Sequence, residues 1–258
     1  MDILLLKLIF TPVLVGAASL AGRRWGGDVG GWLVGIPFTS GPIALFLALD
    51  SGVHFAADAA VGILAGTVSQ VAFALAYAWI ALRTGWGVSF AAAAAAFLAV
   101  TAAMDILKLG ALPAFAIAVA SLAAAIVLMP RGRAAEGVIR RLPWWDIPAR
   151  MVVATTFVLI LTAVAPALGP RLAGLLAPFP LYATVLAVFA HRLQGGGAAI
   201  AVLRGLVLGL FAFALFFLAV SQLLVTHGVL VAFGVALVLA LAAQGISLTA
   251  SRAFRFAA

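Results

Sequence analysis

Apolar stretches of about 20 residues follow one another along most of this chain, separated by charged residues or by glycine and proline. That length is what an α-helix needs to cross the hydrocarbon core of a bilayer, which is about 30 Å thick. Hydrophobic residues make up 67% of the 258 residues and charged residues 9%, whereas a soluble domain is roughly 25% charged. The sequence therefore predicts an all-α polytopic membrane protein with about nine transmembrane helices.

A second constraint is an internal match, in which residues 26–87 align without a gap with residues 169–230, 143 positions further on. Alanine and leucine match by chance in so biased a composition, but glycine and proline rarely do. They coincide in one register at Gly26 and Gly169, Gly31 and Gly174, Pro37 and Pro180, Gly52 and Gly195, Gly62 and Gly205, Gly66 and Gly209, and Gly85 and Gly228. We infer a duplicated four-helix unit.

The predicted spans arrange the two units in opposite orientations. The first unit has spans at 3–21, 30–49, 54–82 and 88–104, the second at 147–168, 173–190, 197–225 and 229–250, and a linking span lies at 109–129. Four spans and one linking span place the second repeat upside down in the membrane. This divides the chain into a first repeat at 1–108, a linking helix and loop at 109–146, and a second repeat at 147–258.

Basic residues predict the orientation, because cytoplasmic loops hold an excess of lysine and arginine. With the N-terminus outside and the C-terminus in the cytoplasm, the inner side carries most arginines, whereas the outer side carries Lys7, Lys108 and Arg171. The loop at 131–150 combines several arginines with Trp144 and Trp145, which predicts an amphipathic segment on the cytoplasmic face. We expect the bacterial inner membrane as the location and anionic lipids as partners. The net charge of +8 then requires no nucleic acid.

The second span of each unit is interrupted by prolines at corresponding points. Proline lacks the backbone donor and crowds the preceding turn, so each pair is expected to break its helix and free carbonyl groups. Paired breaks in inverted repeats indicate a transporter's site at the bilayer midplane. The alternative is that the prolines only kink two packed helices. The breaks are at Pro37 and Pro42 and at Pro178 and Pro180, and the hydroxyls expected beside them for substrate binding belong to Thr39, Ser40, Tyr182 and Thr184.

Two charged residues lie within predicted spans. Arg204 is about 10 Å from the inner boundary, where a charge lines a cavity, pairs, or extends to the headgroups. We take it as the candidate for binding an anionic group, with extension to the headgroups as the alternative. Asp58 lies near an outer helix end and is a candidate for proton coupling, with a solvated carboxylate as the alternative reading.

Two pairs of glycines in the third span of each unit are expected to pack helices rather than bind a ligand. Small residues one turn apart let helix backbones approach closely in lipid. The pairs are Gly62 with Gly66 and Gly205 with Gly209.

The residues indicate no enzyme, cofactor or metal. Cysteine is absent, and Glu136, the only glutamate, lies in a loop. His54, His191 and His227 fall at predicted helix ends without the spacing of a metal site. We also find no serine, histidine and aspartate arrangement at membrane depth.

The stretch AGLLAPFPLYATVLAVFAHRLQGG, chiefly within residues 173–197, resembles the GlpM family of small bacterial membrane proteins with about four spans. GGWLVGIPFTSGPIALFLALDSG at 30–52 is a weaker copy, with TSGP in place of PLYAT. The resemblance implies a fused pair of GlpM-like units and a link to envelope polysaccharide production. It assigns no activity to particular residues.

From this architecture we expect a small secondary transporter or exporter with its site between the broken helices. Its substrate would be a small solute or envelope precursor, anionic if Arg204 faces it. The alternative is an accessory or assembly subunit of an envelope polysaccharide export system. Self-association as a homo-oligomer stays open.

Overall fold

The computed structural model describes residues 3–25, 37, 39–130 and 145–256, and α-helix is the only regular secondary structure within them. The helices are α1 Ile3–Trp25, α2 Ser40–Asp50, α3 Val53–Ile80, α4 Trp86–Leu107, α5 Ala111–Leu128, α6 Asp146–Leu176, α7 Leu181–Gln194 and α8 Gly196–Phe256. Five of them, all but α1, α2 and α7, contain a stretch long and apolar enough to cross a membrane.

The two longest helices are each interrupted by a glycine with a non-helical backbone. In α8 the non-helical residue is Gly228, with φ 76° and ψ 175°. The rings of Phe216 and Phe233, on either side of it, are 6.0 Å apart, although a straight helix would separate them by about 25 Å. The corresponding residue in α6 is Gly169. The α8 segment therefore supplies two antiparallel limbs, as the predicted spans at 197–225 and 229–250 require.

Two further glycines in the 143-residue register share one backbone conformation. Gly52 precedes α3 with φ 90° and ψ 163°, and Gly195 precedes α8 with φ 90° and ψ 173°. This region is essentially restricted to glycine, because a Cβ would clash with the backbone. The chain thus turns into the third helix of each unit in the same way.

Helix α3 lies at the centre of the protein. The most apolar 18-residue window of α3 is 72% buried, against 22% for α4 and for α5. Its most extensive contacts are with α8, α4 and α6. Because α4 and α5 are equally apolar but mostly uncovered, their outer faces are the ones expected to contact lipid.

Two ion pairs lie at one end of the helices. Lys7 pairs with Asp50, and Arg171 pairs with Asp105 at 3.3 Å. At the other end the indole N–H of Trp79 donates to the Leu128 carbonyl at 3.2 Å. Lys7 and Arg171, both predicted on the outer side, therefore lie at the same end. Which end faces the cytoplasm stays a prediction.

The prediction of one span at 30–49, with a helix break at Pro42, is wrong for the part that the structure describes. Helix α2 begins only at Ser40, and Pro42 lies in its first turn instead of breaking it. Proline is tolerated there because first-turn N–H groups have no partner within the helix. Gly31 and the rest of 26–36 lie outside the described residues, as does 131–144, which includes most of the predicted amphipathic loop. The spans predicted at 54–82, 88–104 and 109–129 agree with α3, α4 and α5 to within three residues.

Candidate functional site at the two helix breaks

The second break occupies residues 177–180, between α6 and α7. Pro178 and Pro180 have no N–H, so the helical hydrogen-bond ladder stops at Leu176, whose carbonyl accepts instead from the Phe179 N–H at 3.1 Å. The Phe179 ring lies 5.2 Å from that of Phe97 and 5.9 Å from that of Phe73. These aromatic contacts anchor the break in the protein interior, as is required of irregular backbone at membrane depth.

A hydrogen bond joins the start of α2 to the second break. The hydroxyl of Ser40, just after Pro37, donates to the carbonyl of Ala177 at 3.0 Å, and Ser40 is only 2% exposed. Helix α6 ends just before Ala177, so this carbonyl is one that the second break has released. The Ser40 hydroxyl therefore holds α2 against the second break, a role that differs from the ligand contact expected from the sequence.

A partly open cavity of about 30 Å³, enough for about two water molecules, lies between the start of α2 and the second break. Pro37 and Pro180, which the sequence pairs, both line it. A solute larger than water requires the surrounding helices to move. The lining residues are Pro37, Thr39, Ser40, Gln70, Phe179, Pro180, Leu181, Tyr182, Ala183, Leu206, Leu210 and Phe213.

Gln70 also lines the cavity, although the role expected for it from the sequence is an interhelical hydrogen bond. It lies in the middle of α3, is 4% exposed, and its Oε1 has no hydrogen-bond partner. Position 213, its counterpart in the 143-residue register, is phenylalanine, so the repeat gave no signal for a shared polar site. A glutamine deep in an apolar span is compatible with a ligand contact and with an interhelical hydrogen bond, so the sequence did not distinguish the two.

Thr39 and Tyr182 line this cavity, whereas Thr184 is not among its lining residues. Thr184 lies on α7, is 8% exposed, and its hydroxyl oxygen has no partner. Tyr182 also lines a second, smaller cavity, where the Arg150 guanidinium lies 5.2 Å from the centre of its ring. Arg150 is 5% exposed. It corresponds to Lys7 in the 143-residue register, so both positions carry a basic residue.

Arg204 is not among the residues lining either cavity. Its guanidinium donates to the carbonyl of Met129, at the end of α5, at 3.1 Å. A cation at the C-terminal end of a helix is stabilised by the helix dipole. Asp58 is exposed near the start of α3 and away from the cavity lining.

Gly62 and Gly66 bring α3 against the second break. A Cβ on Gly62 would lie 2.5 Å from the Arg171 carbonyl oxygen, and one on Gly66 would lie 2.5 Å from the ring of Pro178. The absence of side chains at these positions therefore determines how closely α3 approaches the break. In the second unit, Gly205 is half-buried and Gly209 is buried.

The described helices define a multi-pass helical membrane protein. Three or more histidine, cysteine, aspartate or glutamate residues do not come together as a metal site anywhere in its described part. No protein-family model, curated protein or solved structure matches the chain. Its function therefore has to be argued from the geometry of the two breaks.

Proposed function

We propose that this protein is a small secondary transporter or exporter that binds its solute between the two broken helices. The observation that carries the proposal is that Pro37 and Pro180, one from each unit, line one cavity and that Ser40 joins α2 to the second break. Broken helices from paired repeats are the usual origin of a midplane site, because the interrupted backbone offers unpaired donors and acceptors.

The proposal includes nine spans in two inverted repeats within a bacterial inner membrane, with the N-terminus outside. Two features support the duplication: the shared backbone of Gly52 and Gly195, and the fold-back of α8 at Gly228. In this arrangement one repeat rocks against the other, and the cavity opens to each side in turn. The GlpM-like resemblance is compatible with this plan, since each repeat corresponds to one four-span unit.

An anionic solute was inferred from Arg204, which in this structure contacts Met129. Arg204 therefore stays a secondary candidate for an anionic group. Asp58 likewise stays a candidate for proton coupling, because it is exposed and a coupling site must exchange protons with water.

The alternative is an accessory or assembly subunit without a substrate of its own. The small size of the cavity favours it, since a volume of about 30 Å³ holds only water. An accessory subunit would have a sealed interior, whereas a transporter's cavity opens periodically. The two therefore differ in how fast a water-soluble reagent reaches the cavity.

Cysteine accessibility tests the proposal, and the chain has no native cysteine to interfere. Thr39→Cys and Tyr182→Cys place thiols at the cavity, and a membrane-impermeant maleimide is applied to proteoliposomes. Gly110→Cys, in the exposed turn between α4 and α5, is the positive control, and Val238→Cys, at a 66% exposed apolar position in the middle of the second limb of α8, is the lipid-facing negative control.

A transporter predicts that both cavity thiols react more slowly than Gly110→Cys but much faster than Val238→Cys. Labelling from each side of the membrane would indicate alternating access. Cavity thiols that stay as unreactive as Val238→Cys would overturn the transporter proposal and favour the accessory subunit.

A further inference from the structure

The central observation is the unsatisfied amide of Gln70. This side chain is 4% exposed, lines the cavity between the breaks, and leaves its Oε1 without a hydrogen-bond partner. Buried polar groups in folded proteins almost always have a hydrogen-bond partner, because a buried group without one costs free energy of folding. An amide carries both a donor and an acceptor, whichever way it is turned. The cavity therefore offers a polar group that something other than a described residue must satisfy.

Backbone donors from α7 reach the same cavity. Pro180 is the N-cap of α7 and provides no side-chain cap. The first N–H groups of a helix have no acceptor within it. Within the described part of the chain, the Leu181 N–H donates to the Phe179 carbonyl at 2.7 Å, whereas the Tyr182 and Ala183 N–H groups have no backbone acceptor. Tyr182 and Ala183 both line the cavity. Their N–H groups add donors and the partial positive charge of the helix N-terminus.

The described residues that line this cavity include no charged side chain. A full charge brought into such a place would lose its water without a counter-charge on the lining, because Arg150 lies in the second cavity against the Tyr182 ring and a helix N-terminus supplies only about half a charge. An uncharged group avoids this cost. A hydroxyl group fits best, because it accepts from the α7 N–H groups and donates to Gln70 Oε1 at the same time.

We propose that Gln70 and the N-terminus of α7 bind a hydroxyl group of a small uncharged solute, such as a polyol. This inference rests on the proposed transport function and names its substrate class. It departs from the anionic solute inferred from Arg204. Because the cavity in this state holds only about two water molecules, the solute enters when the repeats move apart.

Protection of the Thr39→Cys thiol from maleimide tests this inference, with glycerol and erythritol as neutral probes and glycerate and inorganic phosphate as anionic probes. Gln70→Met keeps an unbranched side chain of similar size and removes both the donor and the acceptor. Gln222→Met, at an exposed position on α8, is the matched control. The melting temperature of each variant in detergent establishes that it is folded. We expect Gln70→Met to melt at or above the wild-type temperature, because it removes an unsatisfied buried group.

We expect the polyols to slow labelling in a concentration-dependent way and the anions to have little effect. Gln70→Met should weaken polyol protection about tenfold, which corresponds to one hydrogen bond, and Gln222→Met should leave it unchanged. The inference would be overturned if only the anions protect the thiol, or if neither class of probe does. It would also be overturned if polyols protect Gln70→Met as well as the wild type, because Gln70 would then contact only water. None of these results contradicts the transport proposal, because that proposal is tested by the labelling rate of the cavity thiols without any probe. If Thr39→Cys is not labelled at all, both fail together.

Discussion

The contact between Gly62 and the last turns of α6, just before the second break, gives the sharpest prediction for stability. In Gly62→Ala the added Cβ would lie 2.5 Å from the Arg171 carbonyl oxygen, 3.0 Å from the Gly174 Cα and 3.1 Å from the Leu175 nitrogen. Ordinary van der Waals contact begins at 3.4 Å, so the backbones have to separate by at least 0.9 Å, the difference between 3.4 and 2.5 Å. All three neighbours are backbone atoms, so no side-chain rotation relieves the contact.

Overpacking of this kind costs about 1–3 kcal/mol. Replacement of glycine by alanine within a helix also stabilises the helix, by about 1 kcal/mol. A control variant is therefore needed to separate the two effects. Gly234→Ala, in the second limb of α8, gains the same helix stabilisation, and nothing lies within 4 Å of its added Cβ. The difference between the two variants isolates the cost of packing.

The assay is unfolding in mixed micelles, followed by far-UV circular dichroism as the fraction of denaturing detergent rises. We expect Gly234→Ala to be as stable as the wild type or more stable, and Gly62→Ala to be about 1–3 kcal/mol less stable than Gly234→Ala. Gly62→Ala should also change the labelling rate of Thr39→Cys, because Gly62 positions the second break. Equal stability of the two alanine variants would refute the close approach of α3 to α6.

Three further predictions use the same unfolding assay. Gly195→Ala should cost about 1–3 kcal/mol, since its φ of 90° is unfavourable for any residue with a Cβ; wild-type stability would contradict the proposed turn. Ser40→Ala should cost about 1–3 kcal/mol because it leaves the Ala177 carbonyl unsatisfied, whereas Ser121→Ala, which removes a bond within one helix, should be nearly neutral. Arg204→Ala should cost about 1 kcal/mol by removing the hydrogen bond at the end of α5 and should leave polyol protection unchanged. Wild-type stability combined with loss of phosphate uptake would instead restore its role as an anion-binding residue.

Much of the helical framework was accessible from the sequence because lipid imposes simple rules. Spans need a minimum apolar length, and the chain can turn sharply only where glycine or proline permits it. The ends of α3, α4 and α5 followed from this, and so did the fold-back at Gly228 and the break at residues 177–180. The glycine register also paired Gly52 with Gly195, whose backbones are alike in the structure.

The partners of individual side chains were not accessible in the same way. In a soluble helix the apolar stripe marks the buried face, but a membrane helix is apolar on its lipid-facing side as well. Nothing in the pattern around α3 therefore showed that Gln70 faces the cavity. Arg204 illustrates the same limit. The sequence predicts how deep it lies in its span, but its contact with Met129 depends on how α5 packs against α8.

By itself, the sequence determined that this chain is a helical membrane protein and where glycine and proline interrupt its helices, because apolar length, proline and glycine act locally along the chain. Only the tertiary structure decided that Pro37 and Pro180 line one cavity, that Ser40 joins α2 to the second break, and that Gln70 and the start of α7 face the same cavity. Those facts depend on the rotation of each helix about its axis. That rotation is determined by packing between helices, such as the close contact of Gly62 with Gly174.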